Sequence, residues 1–193
     1  MAGATISVEG VLAYFPTPII PKIDGERTRE GFIKIHQLIS ENAASVASNL
    51  GGGQHGHLTL TMTAGEYMEQ TGFAFVQMHN PDNYPQSMKS SKEQALGTEK
   101  FQQNQALFRK YTAVDGALKK KIVTKVEPVL LYQLVDQLTG YLQVSALTML
   151  QHIFYSYEAI NKIYLKENSV KMMGTYNPSE PLAQLIEQLK KGR

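Results

Sequence analysis

Residues 49–60, NLGGGQHGHLTL, hold two groups whose types and spacing could do chemistry. Gly51, Gly53 and Gly56 spell G-x-G-x-x-G, the spacing with which a backbone turn cradles a dinucleotide pyrophosphate. His55 and His57 lie two apart, so on an extended segment they would point to one side, where a metal could sit.

Both readings depend on the flanking elements. Phosphate binding needs a buried strand before the glycines and a helix opening after them. Before them, Phe32, Ile33, Ile35, Leu38, Ile39, Ala43 and Val46 recur at steps of three and four, which predicts an amphipathic helix to about Asn49. After them, Leu58, Leu60 and Met62 alternate with His57, Thr59 and Thr61, the period of an extended connector. This is the reverse of the required order, so no nucleotide cofactor is expected, and Gly51 reads as a helix stop. The histidines have no Cys or carboxylate near them in sequence, although a third ligand could come from His36 or His79. Two ligands do not close a zinc site, so His55 and His57 read as loop residues and no metal is expected.

The chain has 193 residues, 42% of them hydrophobic, enough for a sizeable core. Its 19 basic and 17 acidic residues leave a net charge of +2, too balanced for strong nucleic-acid binding by the chain as a whole. There is no Cys, which excludes disulfides within these residues and fits a reducing compartment. No apolar run approaches the ~20 residues that span a bilayer, and no secretory pattern opens the chain. No membrane partner and a cytoplasmic location are therefore expected.

Pro16, Pro18 and Pro21 predict an extended N-terminal arm over residues 1–26. Thr28 is a candidate N-cap for the first long helix. Thr63 and Glu66 form a capping box that opens a short helix to about Thr71. A proline-flanked loop follows. Phe101, Phe108, Tyr111, Val114, Leu118, Ile122 and Val126 mark one long helix or two collinear ones, weakened at Gly97 and Gly116. Leu130, Leu131, Leu134, Val135 and Leu138 predict the inner face of a further helix between Pro128 and Gly140. Two more stripes cover residues 144–159 and 160–173, and Leu182, Leu185, Ile186 and Leu189 mark a last one after a break at GTYNPSEP. The expected fold class is all-α, with six or seven helices, little strand and a short extended N-terminal segment.

Several segments resemble the Gag-like protein of copia-type retrotransposons, in the branch found in diatoms and other microbial eukaryotes. NAASVASNLGGGQHGHLTL looks like the family's most specific segment. PKIDGERTREGFIKIHQLI, YTAVDGALKKKIV, TMLQHIFYSYEAI and YNPSEPLAQLIEQL are similar to others, in the same order, from about Pro21 to Leu189. Asn177 stands where the family often has Asp, and Tyr157-Glu158 where Tyr-Gly is usual, so that helix is free to continue. The resemblance implies a structural protein with no catalytic centre that self-assembles into a shell around the element's RNA. It divides the chain into the arm, a helical lobe over 27–176, and a linker with the start of a second, truncated lobe over 177–193. A Cys-His knuckle, the family's usual RNA contact, is absent from this chain. The alternative is a domesticated module that binds a peptide or RNA without assembling.

Under either reading the surfaces carry the function. The apolar pieces VLAYFPTPII and FAFVQM make Tyr14, Phe15, Ile19, Phe73 and Phe75 the candidate assembly contacts. Lys119, Lys120, Lys121 and Lys125 form a candidate RNA-facing patch, although Lys119 and Lys120 point away from the other two on a helix. Gly51, Gly52, Gly53 and Gly56 are assigned a structural role: a tight loop whose missing side chains let backbone pass close to another element.

Overall fold

A computed structural model describes residues 7–16, 29–75, 77–81 and 91–172. These form α1 (Val8–Tyr14), α2 (Arg29–Ser45), α3 (Ala64–Thr71), α4 (Ser91–Lys125), α5 (Pro128–Leu131) and α6 (Ala146–Met172), with single 3-10 turns at Leu58–Leu60 and Tyr132–Leu134. No strand occurs among the described residues, and the fold is all-α. Thr28, Ile19 and residues 177–193 lie outside the described residues.

The core is built where α1, α2, α4 and α6 meet. Helix α2 contributes Phe32, Ile35, Ile39 and Ala43 along one stripe. Helix α4 contributes Ala113, Val114, Ala117, Leu118 and Ile122, and α6 contributes Met149, Leu150, Ile153 and Tyr157. The Phe32 ring lies 5.3 Å from Phe154 and 6.2 Å from Tyr157, so aromatic edges lock α2 against α6. Of the two alternatives left open by the sequence, α4 is the single continuous helix, ~52 Å long at 1.5 Å per residue. Gly116 is tolerated in it because α1 crosses there: a methyl group at Gly116 would lie 3.0 Å from Val8 Cγ2.

The N-terminal arm is not extended over residues 8–14. Ser7 caps α1, its Oγ accepting from Gly10 N at 3.1 Å. Val8, Val11, Leu12 and Phe15 then fall at helical spacing, with Val11 and Phe15 in the core. The prolines begin only after this helix ends.

Three further expectations change. Helix α2 ends at Ser45 rather than near Asn49, because donors from elsewhere take its last carbonyls: Ser45 Oγ donates to Asn42 O and His57 N to Ala43 O. The connector after the glycines is a 3-10 turn, not extended chain. Thr59 and Thr61 are buried as fully as Leu60 and Met62, so the polar–apolar alternation does not mark an inside and an outside. The helix expected between Pro128 and Gly140 stops at Leu131. Asp136 Oδ1 accepts from Leu138 N, Thr139 N and Thr139 Oγ1, and Gly140 takes φ +61°, so the chain turns sharply instead. Leu138 is left 95% exposed. By contrast, the stripes over 144–159 and 160–173 join into the single helix α6. Its first turn is held by Ser145 Oγ, which accepts from Thr148 N, and by Asp115 Oδ1 of α4, which accepts from Ala146 N.

Gly51, Gly52, Gly53 and Gly56 all have positive φ. They differ in what surrounds them. A methyl group at Gly56 would collide with the Ala44 carbonyl and lie 2.7 Å from Val46 O, both backbone atoms that cannot swing aside. At Gly53 the nearest atom would be Ser48 O at 3.7 Å, so only the backbone angle resists a side chain there. Gly53→Ala is therefore expected to cost about 1–2 kcal/mol. Gly56→Ala should cost about 3 kcal/mol or more, adding overpacking to the same angular strain. Urea titration of both variants checks this ordering, and equal midpoints would refute it.

Candidate functional site

The glycine loop and the turn after it are anchored by side chains of α2. His36 and Ser40, one helical turn apart, both reach Thr61. His36 Nε2 donates to Thr61 O at 2.9 Å, and Ser40 Oγ donates to Thr61 Oγ1 at 2.9 Å. Two residues on, the Thr63–Glu66 capping box forms as expected, with Glu66 Oε2 accepting from Thr63 N and Thr63 Oγ1, each at 2.7 Å. These hydrogen bonds to Thr63, the backbone one first, hold the Glu66 carboxyl below its ordinary range, so it is anionic at neutral pH.

Between this corner and the start of α6 lies a surface groove of about 260 Å³. Leu147, Leu150 and Phe154 form its apolar side; His36, Glu66 and Gln151 are among its polar lining. His36 and Glu66 are each engaged in the hydrogen bonds just described. The arrangement offers apolar contact with an acidic, hydrogen-bonding edge.

The two loop histidines have different tasks. His57 is 2% exposed; its Nδ1 donates to Val46 O at 2.8 Å and its backbone N donates to Ala43 O at 2.9 Å. It closes the loop onto the end of α2. His55 is half-buried, its ring 6.2 Å from Tyr67 and 6.1 Å from Phe73. No group of three or more His, Asp or Glu side chains among the described residues is placed to hold a metal ion. Tyr67, fully buried, donates its hydroxyl to Gly51 O at 2.6 Å, so the glycine backbone serves as a partner for protein groups.

The candidate contact residues separate. Tyr14 is 83% exposed. Phe15 faces the other way and is a core residue with no surface to offer, because it continues the inward stripe of α1. Ile19 lies outside the described residues. Phe73 is partly exposed, but its ring covers the loop: a methyl group at Gly52 would lie 2.7 Å from it. Phe75 is half-buried, its ring 6.2 Å from Tyr67.

The lysines separate as well. Lys119 Nζ lies 3.3 Å from Asp115 Oδ2 and donates to the carbonyls of Tyr141 and Leu142 at 3.4 and 3.5 Å, tying α4 to the chain that leads into α6. That is a packing role, made possible by the turn at Asp136. Lys120 lies 3.6 Å from Glu9 of α1. Lys121 and Lys125 share one side of α4. Partial burial, and then the charge of Lys125, lower the Lys121 pKa.

The stretch from α5 to α6 supplies surface features that helical periodicity conceals. Val129, Tyr132, Leu138 and Leu142 are each at least 64% exposed, and Val135 is also exposed. Asp136 is the only charged residue between Pro128 and Val144, and it is bound into its own turn. The signal for this ridge was the D-x-x-T-G run, a side-chain-capped turn followed by a left-handed glycine.

No described helix is long and apolar enough to cross a membrane. Compared with models of protein families, with curated proteins and with solved structures, the chain matches none.

Burial, above all, lowers the His57 pKa from 6.5, while its bond to Val46 acts in the opposite direction. A histidine that resists protonation in the fold takes up protons first in the unfolded chain. Its contribution is therefore intact above pH ~6.5 and is lost as pH falls through the lower folded pKa. His57→Asn keeps a donor for Val46 O but does not titrate. Stability measured by urea titration should fall between pH 7 and 5 in the parent and fall less steeply in His57→Asn. Parallel curves would refute this role.

Proposed function

We propose that this chain is a structural, Gag-like capsid protein that self-assembles into particles enclosing retrotransposon RNA. The reading joins the sequence resemblance to one structural observation that carries it: large apolar side chains stand in water on well-formed elements. Tyr14, Val129, Tyr132, Leu138 and Leu142 are between 64% and 95% exposed. Scattered apolar residues are ordinary on a surface, but four within fourteen residues of a nearly uncharged ridge favour protein contact. Contacts of this kind can each be weak, because closure of a shell multiplies them. No catalytic role is proposed. Lys121 and Lys125 would be the local basic pair facing the RNA.

The alternative is a domesticated module that binds a peptide or RNA without assembling, for which the groove beside Glu66 would offer a peptide site. Light scattering of the 193-residue chain over a concentration series separates the two. Assembly predicts monomers or small oligomers at micromolar concentration and larger species as concentration rises, with closed particles in electron micrographs and nuclease-resistant RNA inside them. A strictly monomeric protein at every concentration would overturn the capsid reading in favour of the module.

A further inference from the structure

Helix α1 is complete in itself. Ser7, the residue before it, caps its first turn, and Phe15 N closes its last by donating to Leu12 O at 3.4 Å. Among the described residues, no hydrogen bond ties α1 to another element. Side chains alone hold it. Val11 and Phe15 are buried in the core, Val8 and Leu12 pack beside them, and Glu9 Oε1 lies 3.6 Å from Lys120 Nζ. The seat is on α4, the helix against which α1 chiefly packs. Ala113, Gly116, Ala117 and Lys120 recur at steps of three and four and share one face of α4. Gly116 lets α1 come close, because a Cβ there would stand 3.0 Å from Val8 Cγ2. What this face binds is therefore visible: a capped helix with apolar side chains at 8, 11, 12 and 15 and a carboxylate at 9.

The tether on α1 is long for so short a helix. Thirteen residues, 16–28, separate Phe15 from Arg29, a length of chain that can span roughly 40 Å. A helix of seven residues does not persist alone in water, so α1 must find a seat. The tether requires only that the seat lie within reach. A neighbouring copy offers the same side chains, and the same contacts form there. We propose that α1 is exchanged between copies, the α1 of one chain occupying the Gly116 face of α4 on a second. This rests on the self-assembly reading and names the contact that would tie copies together. Concentration decides between the two seats. A tether of this kind holds α1 near its own seat at an effective concentration in the millimolar range, so in dilute solution its own seat wins. In a packed assembly neighbouring seats stand at a comparable local concentration, and exchange forfeits no contact. Each copy gives one α1 and receives another, so the exchange closes into pairs or rings, or runs on as a chain.

The Glu9–Lys120 pair reports exchange in the unaltered protein. Chains with ordinary and with heavy nitrogen are mixed and treated with a carbodiimide, which condenses the Glu9 carboxylate with the Lys120 amine into an amide and takes up the water released. Mass spectrometry of the joined peptides shows a single label where α1 sits on its own chain and both labels where it has been exchanged. The expected result is single-label peptides in dilute solution and mixed-label peptides rising towards about half in the associated fraction. In parallel, Val8→Cys/Gly116→Cys, oxidised in dilute solution, locks α1 onto its own chain. There is no other cysteine, and the 3.0 Å from a Gly116 Cβ to Val8 Cγ2 matches the ~3 Å between one Cβ and the opposite sulfur of a disulfide. The oxidised variant should need about tenfold or more protein to associate than its reduced form, with the same helical circular dichroism. Association with single-label peptides only, or association undiminished by the lock, would overturn the exchange while leaving self-assembly standing. A parent chain that never associates would overturn both.

Discussion

The carbonyls at the end of α2 need hydrogen-bond donors, and most of the candidate site is arranged by how they find them. A helix leaves its last four carbonyls without intrahelical partners. Here His57 supplies two donors, its backbone N to Ala43 and its ring to Val46. To bring His57 back to that helix end, the intervening chain must fold into a loop tight enough to press Gly56 against the Ala44 and Val46 carbonyls. Only a residue without Cβ fits there. Once the loop is closed, Gly51 presents its carbonyl to Tyr67 and Thr61 falls within reach of His36 and Ser40. The capping box of α3 then follows immediately, and the groove is the space left between this corner and α6.

How much of this was legible in the sequence depends on whether local periodicity and burial coincide. For α2, the second half of α4 and the first half of α6 they do: one face is dry, the other wet, and steps of three and four residues report it. The Thr63–Glu66 box was legible because its two partners lie within one turn. The failures share a cause. In residues 57–62 the alternation of Leu and Thr suggests two faces, yet almost every side chain is buried, so the period carries no direction. After Pro128 the leucines keep helical spacing, yet one carboxylate at Asp136 captures the backbone of Leu138 and Thr139 and ends the helix. A short polar side chain that competes for backbone groups outweighs a hydrophobic stripe whose far end has nothing to pack against. Helix α1 was concealed by the prolines that follow it, although Ser7 and the spacing of Val8, Val11 and Phe15 were available as signals.

The candidate contacts illustrate the same limit at the surface. Tyr14 and Phe15 are neighbours of similar character, but one turn of chain sends Phe15 into the core and leaves Tyr14 in water. Lys119 and Lys120 are also neighbours, and each finds a different carboxylate, Asp115 on its own helix and Glu9 on α1. Composition identifies such residues as apolar or basic. Only the packing of α1 and of the 136–146 chain against α4 decides which of them face outward.

That packing has a consequence for the ridge. Lys119 lies beside Asp115 and donates to the carbonyls of Tyr141 and Leu142, while the same Asp115 accepts from the first turn of α6. The part-buried pair thus holds the base of the ridge from below, through backbone atoms, and leaves the side chains above it to face water. Apolar side chains on a mobile loop would collapse onto the nearest core surface. Here the carbonyl anchors and the Asp136 turn oppose that collapse, so Leu138 remains extended and available. Polar groups fixed to backbone set the position of the ridge, and the apolar side chains on it follow that backbone.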